Sequence, residues 1–460
     1  MTLSSFDSLL LRNELKKKIA TLNFDSMTPV QAQAIPHILS GRDIIAQAAT
    51  GSGKTVAFAI GLLNKLEAQS YVTQVLVLCP TRELSEQVAA EIRRLAGAIA
   101  NIKLLTLCGG KPMGPQLASL RRDPHIVVGT PGRILRHLEK ETLRLGSVKT
   151  LVLDEADRML DMGFQYDIMT IIKETPPARQ SLLFSATYPK NIKELSRSIQ
   201  KDPKDIRVKD SAVSLNVDEY FILIELGKSI DTLFNVLAHF RPESSIVFCN
   251  TKKKCQQLEK QLRERGFHAR SLHGDLEQFE RDQVLAQFTG KGSSILIATD
   301  LAARGLDIKE LSAVINFELG RDPETHIHRI GRTGRAGSKG LAVSLFNKMD
   351  ERKLRAIEEY TGSNLVTLEE SNLEVGKNFK LYPSMVTLFL NVGRKDKVRP
   401  GDIVGSLTAS HQISGEQVGK ITVFDKYAYV AVKQENAKDA LAILSGGKIK
   451  GREIKARRLS

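Results

Sequence analysis

Over its first half the chain alternates short, wholly apolar runs with amphipathic segments of helix length. DIIAQA (43–48), VLVLCP (75–80), HIVVGT (125–130), TLVLDEAD (150–157) and SLLFSAT (181–187) contain little polar alternation, whereas 83–97 carries apolar residues at helical spacing. Strands covered on both faces read this way, so the pattern predicts a parallel sheet between helices. The rhythm restarts after residue 215 with SIVFCN (245–250), ILIATD (295–300) and AVINFEL (313–319), which predicts a second α/β domain. DSAVSLNVDE (210–219) is polar and aperiodic, so a linker is expected near 208–216. After about residue 368 the pattern changes to shorter alternating strands, MVTLFLNV (385–392) and KYAYVAVK (426–433), with a helix-like NAKDALAIL (436–444). A smaller α+β domain is expected there, tethered by SNLEVGKNFKLYP (371–383). The expected domains are therefore 1–208, 216–368 and 380–460.

Size and composition agree with this division. A chain of 460 residues is too long for one core. With 42% hydrophobic and 26% charged residues it has globular, not disordered or fibrous, composition. No run approaches the roughly 18 apolar residues of a membrane helix, and MTLSSFDSLL has neither a basic start nor a small-residue cleavage site, so a cytoplasmic protein is expected. Cys79, Cys108, Cys249 and Cys255 lack metal-ligand spacing and are expected to be buried thiols. Charge changes the picture more. The net charge is +15, and residues 376–460 hold 16 Lys+Arg against 7 Asp+Glu, which implies a polyanionic partner at the C-terminal end. No coiled-coil heptads are visible, so a monomer is expected.

ATGSGKT (49–55) follows an apolar run and precedes a helical segment, the context a phosphate-binding loop requires. Gly51 and Gly53 let the backbone N–H groups of Ala49, Thr50 and Ser52 turn inward, Lys54 supplies a cation, and the Thr55 hydroxyl can ligate magnesium. Ala48 stands where the usual pattern begins with glycine. Asp154 and Glu155 end the apolar run of 150–157, where Asp154 can hold magnesium and Glu155 can accept a proton from an attacking water.

These residues resemble the DEAD-box ATP-dependent RNA helicase family, a likeness that extends over nearly all of 1–365. It implies two tandem RecA-like parallel-sheet domains, ATP and Mg2+ as cofactors, and RNA as partner, with no DNA and no membrane. Phe24, Thr28, Pro29 and Gln31 match the adenine-reading motif, with Phe6 at the place of its upstream aromatic, so Gln31 is expected to select ATP. Asp157, Ser185, Thr187 and His328 match positions that couple nucleotide state to RNA binding, and Asp307 matches a ribose contact. HRIGRTGR (328–335) places three arginines on a glycine-rich turn. Arg332 and Arg335 match the family's arginine fingers, and such a cation at a transferring phosphate can be worth about 10³–10⁵ in rate. If the fingers lie on one lobe and the phosphate loop on the other, hydrolysis requires the lobes to close. PTREL (80–84), Gly109-Gly110, TPGR (130–133), SIVFCNTK (245–252), HGDLEQFER (273–281) and 299–305 resemble the RNA-facing motifs. Arg82, Arg133, Lys252 and Arg304 offer cations there, and Gly110, Thr130 and Thr299 offer backbone or hydroxyl contacts to phosphates.

MVTLFLNV and YAYVAVK sit where an RNA-recognition-motif fold would place its two central strands, with Tyr427 and Tyr429 near its stacking positions but without the K/R-G-F/Y-G/A opening of the usual motif. NVGRKDKVRPGDIVGSL (391–407), VGKI (418–421) and GGKIKGREIKARRL (446–459) resemble the C-terminal domain of the bacterial DbpA subgroup. That resemblance implies targeting to a hairpin of 23S ribosomal RNA near the peptidyl-transferase centre in pre-50S particles, and a role in large-subunit assembly. Arg394, Lys395, Lys397, Arg399, Lys448, Lys450 and Arg452 are the candidate contacts. Alternative readings are a DNA helicase or other P-loop ATPase, and a general RNA-stimulated ATPase or clamp without a specific target.

Overall fold

The computed structural model describes residues 5–48, 51–208, 216–225, 227–303, 311–334, 339–374, 379, 381–409 and 411–459. Among them, the first sheet has seven parallel strands: β1 (Ile44–Gln47), β2 (Val75–Leu78), β3 (Leu104–Leu107), β4 (Ile126–Gly129), β5 (Thr150–Leu153), β6 (Gln180–Ser185) and β7 (Lys204–Arg207), in the order β3-β4-β2-β5-β6-β1-β7. Ile44 stands opposite both Leu182 and Lys204, which fixes the register of the last three strands. The apolar runs are continuous because alternate residues enter different cores. Ala46, Val77, Val128, Val152 and Phe184 pack on the face holding Phe58 and Leu95, while Ile45, Leu78, Val127, Leu153 and Leu183 pack on the face holding Ile134 and Ile168.

The second sheet repeats the plan with β8 (Val217–Leu223), β9 (Ser245–Phe248), β10 (Ala269–Leu272), β11 (Ile295–Ala298), β12 (Ala313–Asn316) and β13 (Gly340–Phe346), all parallel, in the order β10-β11-β9-β12-β13-β8. Both α/β sheets are therefore parallel, as the apolar rhythm predicted, and RecA-like, as the resemblance implied. The last sheet is antiparallel, with β14 (Met385–Leu390), β15 (Val418–Val423), β16 (Ala428–Lys433) and β19 (Ala456–Arg458) in the order β15-β16-β14-β19, and the strands β17 (Lys448–Ile449) and β18 (Arg452–Glu453) form a separate hairpin. The two runs 385–392 and 426–433 supply the central strands. Helices Pro400–Thr408 and Ala437–Gly446 cover one face through Ile403, Leu407, Ala440 and Leu444.

By compactness the chain divides into two units, the first sheet in one, and the second sheet with the C-terminal domain in the other. The linker expected near 208–216 falls mostly on residues outside the described set. All four cysteines are buried and unpaired in disulfides, and among the described residues no helix is long and apolar enough to cross a membrane.

Candidate functional site

Ligands of open α/β sheets bind beyond the carboxyl ends of the strands, and that edge of the first sheet is divided by function. Three neighbours, β5, β6 and β1, deliver the DEAD, Ser-Ala-Thr and phosphate-loop segments. Three more, β2, β4 and β3, deliver PTREL, TPGR and Gly109-Gly110, and β7 closes the far edge.

At the phosphate loop, Gly53 holds φ +95° where helix Lys54–Lys65 begins. That backbone conformation favours glycine, and a Cβ there would lie 2.5 Å from Gln31 Nε2 and displace it. Thr28 caps helix Pro29–Leu39 in a capping box with Gln31, and Gln31 Nε2 donates to the Gly53 carbonyl at 3.2 Å. The adenine motif is thereby tied to the loop. Phe6 and Phe24 stack at 6.2 Å, with the Arg94 guanidinium over Phe24. Lys54 is only 6% exposed and donates to the Ala48 carbonyl at 2.9 Å. Thr55 follows on the first helical turn. Ala49 and Thr50 lie outside the described residues.

Asp154, Glu155 and Asp157 are all buried. Burial pushes the Asp154 carboxyl up to about 7, against the pull of the Lys54 cation. Glu155 sits at φ +51°, a left-handed conformation rare for a non-glycine residue and common at functional turns. Burial acts to raise the Asp157 carboxyl, but Arg158 and the Thr187 hydroxyl outweigh it and hold it below the usual range. Thr187 donates to one Asp157 oxygen twice, from Oγ1 at 2.8 Å and from its amide at 3.0 Å. The Ser185 hydroxyl is buried without a hydrogen-bond partner among the described residues.

On the other half of the edge, the Arg82 guanidinium lies across the Gly109-Gly110 turn. A Cβ on Gly110, whose φ is +74°, would sit 2.0 Å from Arg82 Nη1. Arg133 is half-buried, and burial and then the cations of Arg136 and Arg82 depress its proton affinity. Three arginines therefore share one corner. Arg136 was not visible as part of this cluster in the sequence, where it reads as an ordinary exposed helix residue. Thr130, at the start of helix Pro131–Glu139, is held by its amide to Leu107.

The second sheet's edge centres on Arg329, which sequence reasoning passed over in favour of its neighbours. It is 1% exposed and makes five bonds: two to Asp300 at 2.6 and 2.8 Å, and others to Asn250 Oδ1, Asn316 Oδ1 and the Glu318 carbonyl. This guanidinium locks the ends of β9, β11 and β12 together. His328 and Arg332 flank it, both half-buried. Gly334 holds φ +67° where a Cβ would strike Val217. Lys252 pairs with Asp275 at 2.8 Å, and the Thr299 hydroxyl accepts from the Ala302 amide at 3.4 Å. Arg304, Asp307 and Arg335 lie outside the described residues.

Most of the candidate basic residues of the C-terminal domain line two clefts joined through Asp396 and Asp402. Arg394, Lys397 and Arg399 edge a cleft of about 780 Å³ with Lys420, floored by Val398 and Ile421. Lys448 and Lys450 edge the second cleft, of about 650 Å³, beside Gly401 and Gly405, where Lys450 pairs with Asp402 at 2.9 Å. Arg452 pairs with Asp396, and Lys395 is exposed.

Tyr427 and Tyr429 do not present a free stacking platform. The sheet face that carries them packs on helix Gln278–Thr289 of the second lobe. Tyr427 donates to Asp282 Oδ2 at 2.8 Å, Phe279 meets Tyr427 and Phe389 edge-on, and Tyr429 is buried with Ala286 and Leu459. The Lys291 carbonyl accepts from the Met385 amide, and a Cβ on Gly292 would strike Thr387 Oγ1. Burial, reinforced by Asp282, raises the proton affinity of both phenols.

Comparison with known proteins agrees with this arrangement. Residues 28–195 match the DEAD/DEAH box helicase family, 228–337 the helicase conserved C-terminal domain and 387–458 the DbpA RNA binding domain. The chain is 48% identical over 448 residues to the ATP-dependent RNA helicase DbpA of Escherichia coli (strain K12), covering 95% of each. It is 41% identical over 371 residues to the DEAD-box ATP-dependent RNA helicase CshA of Bacillus subtilis (strain 168), covering 80% of this chain and 75% of that protein. Among solved structures, S. cerevisiae Dbp5 bound to RNA and ADP BeF3 matches with a TM-score of 0.74 at 31% identity, over 80% of this chain and 96% of that one. With the phosphate-loop and DEAD strands side by side, an RNA-binding domain at its end and near end-to-end likeness to such a relative, the chain belongs to the DEAD-box ATP-dependent RNA helicases, in the DbpA subgroup.

Proposed function

We propose that this helicase is directed by its C-terminal domain to a hairpin of 23S ribosomal RNA near the peptidyl-transferase centre, and that it acts as a cytoplasmic monomer in assembly of the large ribosomal subunit. The observation that carries the reading is the basic cleft of Arg394, Lys397, Arg399 and Lys420, in a domain that matches the DbpA RNA binding domain over 387–458. The sheet face is occupied within the chain, so a phosphate backbone would be met by cations off that face, these four among them. The cations of Lys252, Lys450 and Arg452 are each at least half exposed in their ion pairs, so they can exchange those partners for phosphate.

Turnover divides between the two α/β sheets. Lys54 binds the β/γ-phosphates, Glu155 takes the proton of the attacking water, and Arg332 with Arg335 stabilises charge on the transferring phosphoryl group. Gln31 reads adenine beside Phe6 and Phe24, while Ala49 to Gly53 cradle phosphates and Asp307 meets the ribose. Asp157, Ser185, Thr187 and His328 couple nucleotide state to RNA. The hard oxygen donors Asp154 and Thr55 fit magnesium, and the raised proton affinity of the buried Asp154 marks a carboxylate short of positive charge. Bound Mg2+ would neutralise charge on the β/γ-phosphates. Arg82, Gly110, Thr130, Arg133, Lys252, Thr299 and Arg304 hold the RNA backbone without reading bases.

The test is the steady-state ATPase rate against 23S ribosomal RNA, a fragment carrying the hairpin, and an unrelated structured RNA. Selective stimulation by the first two is expected. Equal stimulation by all three would replace targeting with a general RNA-stimulated ATPase or clamp.

A further inference from the structure

We infer that Gln116 is a positioning residue for RNA binding: its buried carboxamide holds Arg133 in register with the Gly109-Gly110 turn. The inference rests on the reading that Arg133 contacts the RNA backbone.

Gln116, on helix Met113–Leu120, is 6% exposed and uses its amide on three residues of two other segments. Oε1 accepts from Arg133 Nη1 at 3.0 Å and from His137 Nε2 at 3.0 Å, and Nε2 donates to the carbonyl of Cys108, immediately before the glycine pair, at 3.2 Å. The orientation of the amide follows from its neighbours. A guanidinium can only donate and a carbonyl can only accept, so flipping the group would break both contacts. His137 must then carry its proton on Nε2. Its Nδ1 meets Thr142 Oγ1 at 2.9 Å, and burial followed by the Arg133 cation holds the ring below its ordinary range, in the neutral form.

Arg133 closes the loop by donating from Nη2 to the Lys111 carbonyl at 3.0 Å. One guanidinium edge therefore bridges Gln116 and the residue just after the glycine pair. This anchoring has an electrostatic purpose. Arg133 faces the cations of Arg82 and Arg136, whose repulsion would drive an unheld side chain outward. The carboxamide is neutral, so it fixes the arginine without cancelling the charge that a phosphate needs. A carboxylate at the same place would hold the arginine and weaken the site.

The test uses the full chain and the RNA concentration for half-maximal ATPase, measured for wild type, Gln116→Leu, Gln116→Met, Arg133→Ala and Gln116→Leu/Arg133→Ala. The Gln116 variants should raise that concentration on the order of tenfold, as loss of hydrogen bonds to a charged group does, with kcat at saturating RNA within about twofold of wild type. Arg133→Ala should raise it as well, and adding Gln116→Leu should then change nothing. Unchanged half-saturation in both Gln116 variants, with a raised value in Arg133→Ala, would overturn the positioning role alone. Additive effects would overturn it too, by showing that Gln116 acts through another group. No effect of Arg133→Ala would remove the underlying RNA contact and the inference with it. Loss of cooperative melting in both Gln116 variants would mark the amide as structural and contradict the proposal.

Discussion

Two buried charge sites, one in each α/β sheet, are built to opposite specifications. Arg329 has five N–H donors and five acceptors, and Asp300 faces it with both oxygens. Lys54 and Asp154 are buried too, yet among the described residues Lys54 donates only to the Ala48 carbonyl and Asp154 accepts only the neighbouring Glu155 amide. A saturated buried charge is architecture; a buried charge with unused capacity is poised for a ligand. In the same short motif Arg329 joins three strand ends, while its neighbour Arg332 is half-buried and is the one we propose for the phosphate.

This contrast can be broken by substitution. Glu155→Gln should lower RNA-stimulated ATPase about 10²–10⁴-fold, the usual loss for a general base, with an unshifted urea midpoint; a lowered midpoint would make the DEAD turn architectural after all. Arg329→Ala should show the reverse emphasis. It strands Asp300 and three further acceptors, so about 3–5 kcal/mol of stability should be lost in equilibrium unfolding. Arg329→Lys should not restore it, because an ammonium lacks the planar fork. A wild-type midpoint in either variant would contradict the assignment.

Smaller effects sharpen the picture at the C-terminal domain. Tyr427→Phe removes the hydrogen bond to the Asp282 carboxylate, which should cost docking about 1.5–3 kcal/mol and speed proteolysis of the tether 371–383; unchanged cleavage would mean that apolar packing alone holds the domain. Lys397→Ala and Arg399→Ala should each weaken RNA binding and reduce its salt slope by about one. An unchanged slope would place the phosphate contacts elsewhere.

The sequence made legible what was written locally. Central strands such as β2, β4 and β5 announce themselves because both faces are buried, whereas the edge strands β7, with Lys204, Asp205 and Arg207, and β10, with Arg270 and Ser271, give no apolar run. The phosphate loop and the DEAD turn are contiguous motifs, so their residues could be named in advance. Docking of the third domain could not. Helix Gln278–Thr289 has no clean polar face, since Val284 and Phe288 are buried along with Ala286, and the Tyr427–Asp282 bond spans 145 positions. Gln116 was equally hidden: a single glutamine in an ordinary helix acquires its role from Cys108, Arg133 and His137, which only the fold assembles.

The most direct test of the account is displacement of a short duplex placed beside the 23S hairpin, compared with the same duplex beside an unrelated structured RNA, using wild type and the Arg394→Ala/Lys397→Ala/Arg399→Ala variant. The account predicts ATP-dependent displacement by wild type that is strong only beside the hairpin, and loss of that preference in the variant. Equal displacement on both substrates by wild type would contradict a targeted helicase and leave the C-terminal domain as a general tether.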